Sequence, residues 1–420
     1  RAWFYIFLID FYRNVPIFTE KDAPDELLAQ ATPEEVFSYI ESELKDVLPQ
    51  LKKENIVGRF TQAPAAALLA RIYFNSQVWL NVDRSADCKT FCEDIIAGKY
   101  GEYHINQNDY RDPFRSGIKG YRSPELLFEF PHKRNVYQFG GFHDSFLHYT
   151  SGQALGNPDG GNNGIHMTPS RDFDGNVYKF ASQLGTPYEK YADCDYRKQP
   201  FQITSANGDY EGFFMIGTQY KFDYTKGYGY TNETVKGTEE YKGEPLIYVD
   251  QVGRFSEGLS TAKEKGSRVT TGEENSGVRF NKFPYLQEGD GLYMCQSAPE
   301  IRLTEIYYML AETNYRSGNK AKAAELLDFT RVRNYPADEW GKYSYVQNPA
   351  LLTDQEFVDE WGREFIGERR RRSDLIRWGR FGNAWWDKDV DPSDKEYTIF
   401  PIPKRQLDAN PLLKQTTKGW

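Results

Sequence analysis

Histidine and cysteine are scarce in this chain. Five histidines and four cysteines in 420 residues leave little material for a metal centre or a disulfide framework. Cys88, Cys92, Cys194 and Cys295 show neither a C-x-x-C nor any metal-ligand spacing. Cys88 and Cys92 stand four residues apart in a helical-looking stretch, where side chains lie about 6 Å apart with poorly aimed Cβ vectors, so no bridge is expected. No run of 18 apolar residues occurs and mean hydropathy is −0.72, which excludes a membrane-spanning helix. Positive charge is short as well. Lys and Arg number 52 against 61 Asp and Glu, a net charge of −9, the wrong sign for a general nucleic-acid or anionic-lipid binder. Cofactor signatures are missing too: GYGYTN at Gly227 lacks the third glycine of a dinucleotide loop, and there is no phosphate-binding lysine motif.

What the chain does have is aromatic side chains, 16% of all residues, among them 30 Tyr, 28 Phe and 8 Trp. Most of these are expected to pack helices together. The remainder suit a flat polar ligand, and sugars fit: their C–H faces stack on rings while their hydroxyls seek amides and carboxylates.

The glycines divide the chain. Residues 101–300 hold 26 of the 35, so the middle is rich in loops and the flanks are not. The opening RAWFYIFLIDFYRNVPIF is apolar around most of a helix and has no cap residue ahead of it, which predicts that further sequence, and any targeting signal, precedes Arg1. Thr32 caps a predicted helix that has Pro33 at its first position and Glu34 and Glu35 in its first turn. Helices follow over Thr61–Trp79, where Ala65, Ala66, Ala67 and Ala70 allow close approach, and over Ser85–Ala97. The second flank predicts Ile301–Arg316, Lys320–Arg333 and one long helix over Asp354–Trp378. Ala311, Gly318 and Ala323 give nearly the small-residue spacing of a tetratricopeptide unit. The tail from Tyr397 is too proline-rich to be helical and is expected to wrap the bundle. In the middle, Leu126–Phe130 and Leu246–Val249 read as isolated short strands or as hairpins in long loops.

Catalytic patterns are thin. Ser260-Thr261-Ala262-Lys263 matches S-x-x-K without its companion motifs. His143, Asp144, His148 and His166 share a segment but lack helical metal spacing. Asp172, Asp174 and Asn176 occupy positions 1, 3 and 5 of a calcium-type loop, yet Val177 and Gln183 stand where glycine and glutamate belong. No cofactor is expected, an irregular calcium site being the one exception left open. The run Glu368-Arg369-Arg370-Arg371-Arg372 is flanked by acids and is expected to lock a helix onto the bundle through ion pairs, not to bind nucleic acid.

Several stretches form an ordered set: the opening helix with Arg13-Asn14-Val15-Pro16, then APAAALLARIYFNSQVWL, SPELLFEFP, GTEEYKGEPLIYVDQVGRFSEG and GEENSGVRFNKFP. IRLTEIYYMLAETNYRSGNKAKAAELLDFTRVRN, FIGERRRRSDLIRWGRFG and PIPKRQLDANPLLKQ complete it. In this order the stretches resemble the RagB/SusD family, glycan-binding surface lipoproteins of Bacteroidetes. Arg371 departs from the small or acidic residue usual there, with packing as the expected consequence. The resemblance implies a mainly α fold, a tetratricopeptide-like superhelix of helix pairs with a loop-rich central insertion. It implies a single domain, with 1–100 and 296–382 as helical scaffold, 101–295 as ligand region and 383–420 as a wrapping tail. It further implies oligosaccharide binding without catalysis, an N-terminal lipid anchor on the outer membrane lying outside this chain, and delivery to a SusC-like TonB-dependent transporter.

Glycan contacts in that family sit in variable loops, so the residues must be chosen from this chain. The candidates are Trp79, read as an inter-helix loop residue, and Tyr121, Phe139, Phe142, His143, Tyr149, Asn162, Asn163 and Tyr285 in the central loops. Trp385 and Trp386 are assigned to packing or a partner. Two other functions remain open at this point: a glycoside hydrolase using two of the many carboxylates, and a helical scaffold that binds only protein.

Overall fold

The computed structural model describes all residues except 24, 133–149, 157–168, 173, 178–186, 206–208, 224–228, 239–241, 253–272, 284–285, 289–290, 294–295 and 385–387. Four helices lead the chain: α1 (Ala2–Tyr12), α2 (Pro33–Val47), α3 (Gln62–Leu80) and α4 (Ser85–Ile96). Each packs on the next, and α4 packs on α5 (Leu303–Arg316), which pairs with α6 (Lys320–Arg331). Thr32 caps α2 through a full capping box: its side chain accepts from Glu35 N–H, and Glu35 accepts from Thr32 N–H at 2.7 Å. The alanine stripe of α3 is wholly buried, which lets its neighbours come close. Cys88 and Cys92 are buried free thiols with their sulfurs 3.9 Å apart.

The predicted helix over 354–378 is two helices, α7 (Asp354–Glu364) and α8 (Arg371–Arg377). Gly367 (φ 75°) and Arg369 (φ 62°) turn the backbone left-handed between them. The Phe280 ring lies where a Cβ on Gly367 would sit, 2.5 Å away, so only glycine lets the turn approach this closely. The break aims the arginine run in several directions. Arg370 reaches Glu300 and Glu305, Arg371 donates to the Val358 carbonyl at 2.5 Å, and Arg372 pairs with Asp10 at 2.5 Å. Side-chain room for Arg371 comes from Gly362, whose absent Cβ would lie 3.0 Å from the guanidinium. The expected role of the run, holding the bundle together, is met with a different backbone. The tail also differs in one respect: it contains a short helix, α9 (Lys404–Ala409). It still lies along the first flank, with Phe400 N–H donating to Phe11 O and Asn410 to Leu28 O.

The short strand β1 (Leu126–Phe130) is not isolated. It pairs antiparallel with β2 (Ala298–Arg302), which is why α5 starts two residues later than the helical pattern suggests. The remaining described strands form two-stranded pieces between them in sequence, such as Tyr220–Asp223 with Gly229–Thr234 and Phe214–Met215 with Arg279–Phe280. Ile247–Tyr248 pairs with Gly217–Thr218. A small aromatic core of Tyr110, Phe114, Tyr191, Tyr210, Phe213 and Phe214 lies beneath these pieces.

Candidate ligand-binding surface

The loop-rich half is tied to the helices by buried charge. Arg302 bonds Glu125 (2.8 Å), Glu364 (3.0 Å) and Glu368 (2.7 Å); Arg333 bonds Glu125 (2.6 Å). From the loop side, Arg197 holds Asp195 (2.7 Å) and Glu364 (3.0 Å), and Lys282 holds Glu368 (2.5 Å). Burial pushes the Glu125 carboxyl up, but Arg333 and Arg302 outweigh it and keep it down at about 2. Burial lowers the Lys282 ammonium to about 8 against the pull of Glu368. Four bases face four acids, so the weld is neutral overall. These carboxylates are committed to guanidinium and ammonium partners and are not poised for acid–base chemistry.

On this base sits a surface built by residues 106–123, 196–205 and 209–212. Pro113 opens a tight helical turn at Asp112–Phe114, and Gly117 (φ 98°) and Gly120 (φ 81°) reverse the chain toward Tyr121. The backbone of Tyr121 is fixed twice, its N–H donating to Ile118 O (2.9 Å) and its C=O accepting from Gly117 N–H (2.8 Å). The phenol O–H donates to Asp112, which is 3% exposed and also accepts from Ser123 O–H and from Asn106 at 3.3 Å. Burial and the Asp112 carboxylate raise the phenol's pKa, so it stays a donor. The ring itself is 43% exposed. Beside it Arg115 bridges Asp109 (3.2 Å) and Asp209 (2.6 Å), both groups partly open to solvent. Tyr196, also exposed, stacks on Tyr110 with ring centres 6.1 Å apart and planes 21° apart, and Tyr110 O–H accepts from Gly212 N–H at 2.8 Å. A rigid, half-open ring next to an arginine–carboxylate pair can take the C–H face of a sugar and bond its hydroxyls.

Of the candidates from sequence, Tyr121 lies on this surface. Trp79 does not, and its reading as a loop residue is corrected: α3 runs on to Leu80 before Asn81 ends it in a left-handed turn (φ 55°). The Trp79 indole is 6% exposed, donates to Asp10 Oδ1 at 3.1 Å and forms part of a cavity wall between helices. Phe139, Phe142, His143, Tyr149, Asn162, Asn163 and Tyr285 lie outside the described residues, as do Asp144, His148, His166, Trp385 and Trp386. The calcium-like segment closes on itself, Asp172 accepting from Asn176 N–H at 2.8 Å. Among the described residues no group of three His, Cys, Asp or Glu is placed to hold a metal. Sequence reading missed Asp112, Arg115 and Asp209. The turn glycines at 117 and 120 hinted at a rigid loop, but nothing local pairs Arg115 with a residue 94 positions away.

Comparison with known proteins agrees with this architecture. Residues 124–420 match the model of the SusD family, and residues 1–74 match a second model described as starch-binding associating with outer membrane. The chain is 23% identical over 431 residues to the starch-binding protein SusD of Bacteroides thetaiotaomicron, covering 99% of this chain and 70% of that protein. A SusD superfamily protein from Bacteroides fragilis superposes with a TM-score of 0.60 at 19% identity, covering 99% of this chain and 77% of that one. Surface glycan-binding protein A from Bacteroides uniformis gives 0.58 at 15% identity, covering 99% and 75%. The chain belongs to the SusD family.

Proposed function

We propose that this member of the SusD family captures glycans without catalysing any change in them, at the surface of the outer membrane. The observation that carries the reading is the Tyr121 ring, half-exposed, pinned through Asp112 and set beside the Arg115–Asp209 pair. Phe139, Phe142, His143, Tyr149, Asn162, Asn163 and Tyr285 are proposed to extend the same surface, within a ligand region spanning 101–295. The helical segments 1–100 and 296–382 act as its scaffold, and 383–420 wraps them. Support comes from the starch-binding and glycan-binding relatives and from the commitment of buried carboxylates to ion pairs. The proposed partners are an oligosaccharide and a SusC-like TonB-dependent transporter, with attachment to the membrane through a lipid anchor upstream of Arg1.

The test is binding of the purified chain to a panel of α- and β-glucans, mannans, xylans and host glycans, with free reducing ends assayed in the same tubes. Binding without release is expected. Release of reducing ends that vanished with one Asp or Glu substitution would make it a hydrolase. No affinity for any glycan would leave a scaffold that binds protein.

A further inference from the structure

We propose that Ser123 and Asn106 are positioning residues for the sugar platform: they fix the Asp112 carboxylate, and through it the Tyr121 ring, to the helical scaffold. The inference rests on the glycan-capture reading above and adds to it two residues that act through others.

Asp112 differs from the acids around it. Asp109 bonds Arg111 (2.8 Å) and Arg115 (3.2 Å), Glu125 bonds Arg302 and Arg333, and Glu129 faces Arg122 at 3.4 Å. Asp112 is buried like Glu125, yet among the described residues it forms no ion pair. Three neutral donors hold it: the Tyr121 O–H and the Asn106 amide (3.3 Å) on Oδ1, and the Ser123 O–H on Oδ2. Burying a carboxylate without a base is costly unless donors satisfy its oxygens, so these three bonds decide where the group points.

Ser123 ties the carboxylate to the rest of the molecule. Its buried hydroxyl has one hydrogen to give. The Glu125 N–H donates to that oxygen at 3.2 Å, and the hydrogen goes to Asp112 Oδ2. Glu125 is itself welded to Arg302 and Arg333, so an unbroken chain of bonds runs from scaffold arginines to the exposed ring. Asn106 is fixed from the same side. Its carbonyl accepts from Arg333 at 3.5 Å, and its Oδ1 accepts from Asn108 N–H at 3.0 Å, which turns the amide N–H toward Asp112. Holding the ring in place before a ligand arrives removes the cost of ordering it on binding. Without the Ser123 hydroxyl, Asp112 Oδ2 loses its donor, the carboxylate turns to share those that remain, and the phenol loses its fixed acceptor.

The experiment titrates soluble starch, β-glucan, mannan and xylan into the full chain by calorimetry. Ser123→Ala and Asn106→Asp are each made in the native and in the Tyr121→Phe background, and each is checked by circular dichroism melting. Asn106→Asp keeps the shape and the acceptor for Asn108 N–H but turns the donor facing Asp112 into a like charge. Its position is only half-buried, so it carries the test if Ser123→Ala does not fold. Thr32→Ala, which lowers stability at the α2 cap, is the control and should leave affinity unchanged. Each variant is expected to weaken the glycan that the native chain binds about fivefold, the scale of one lost hydrogen bond. Neither should weaken binding further once Tyr121→Phe has removed the phenol O–H. Unchanged affinity in the native background overturns the inference. An equal loss in both backgrounds overturns it too, because a merely structural role would act whether or not the phenol is there. Undiminished binding by Tyr121→Ala would put the glycan elsewhere, overturning the inference while capture stands. No binding of any glycan by the native chain would remove the capture reading and this inference with it.

Discussion

Glu125→Gln tests whether buried charge welds the ligand region to the helices. Glu125 accepts from Arg302 (2.8 Å), Arg333 (2.6 Å and 3.3 Å) and Thr304 (2.6 Å), and all four side chains are buried. Glutamine keeps the shape and an acceptor oxygen but removes the charge, leaving four bases against three acids. Arg302 retains Glu364 and Glu368, while Arg333 is left with Glu364 at 3.5 Å. Removing one partner of a buried pair costs about 3–5 kcal/mol, and the conservative shape puts this variant at the lower end. The pKa agrees in size: a carboxyl held at about 2 instead of 4.5 is favoured in its ionised form by about 3 kcal/mol. The assay is urea unfolding at pH 7, followed by circular dichroism and tryptophan fluorescence. Glu93→Gln, which breaks an exposed Lys89 pair at 3.8 Å, is the control and should cost at most about 0.5 kcal/mol. A Glu125→Gln loss under about 1 kcal/mol, no larger than that of the control, would refute the reasoning.

Five further outcomes are expected. Tyr121→Ala should weaken glycan binding by about 1–2 kcal/mol in calorimetric titration, with Tyr121→Phe retaining part of the affinity because the ring survives. Thr32→Ala should cost about 1 kcal/mol in thermal or urea unfolding by removing one half of the capping box. Gly212→Ala should cost more than about 2 kcal/mol in the same unfolding assays, since its φ is 66° and a Cβ there would meet the Gln199 carbonyl oxygen at 1.9 Å. Acid should unfold the protein steeply. At Glu125 and Glu360 burial opposes ionisation, yet neighbouring arginines hold both carboxyls at about 2, so their stabilisation is present above 4.5 and lost as pH falls through about 2. Asp374 has the opposite sign, its contribution present below 3.8 and lost as pH rises through about 6, so Asp374→Asn should flatten the upper part of the pH–stability curve.

Local chemistry determined the parts of this protein that are readable from sequence alone. Thr32, Pro33 and Glu35 act on backbone groups within three residues, so the start of α2 is legible in four letters. The alanines of α3 and the period of α5 and α6 likewise specify helices that must stack, and the ordered motifs point to the family. Where the outcome depended on residues far apart in the chain, sequence was silent or misleading. The arginine run has helical composition, yet Glu368, Arg370 and Arg372 are drawn to Arg302, Glu305 and Asp10, and Gly367 lets the backbone break to reach them. Trp79 reads as a loop aromatic because nothing nearby shows that Asp10, 69 residues earlier, holds its indole inside. Tyr121 becomes a fixed platform beside a charged pair only once Arg115 meets Asp209. Helix caps and periods act within a turn or two of the chain, whereas ion pairs and ring contacts act through space, and the candidate sites are made of the latter.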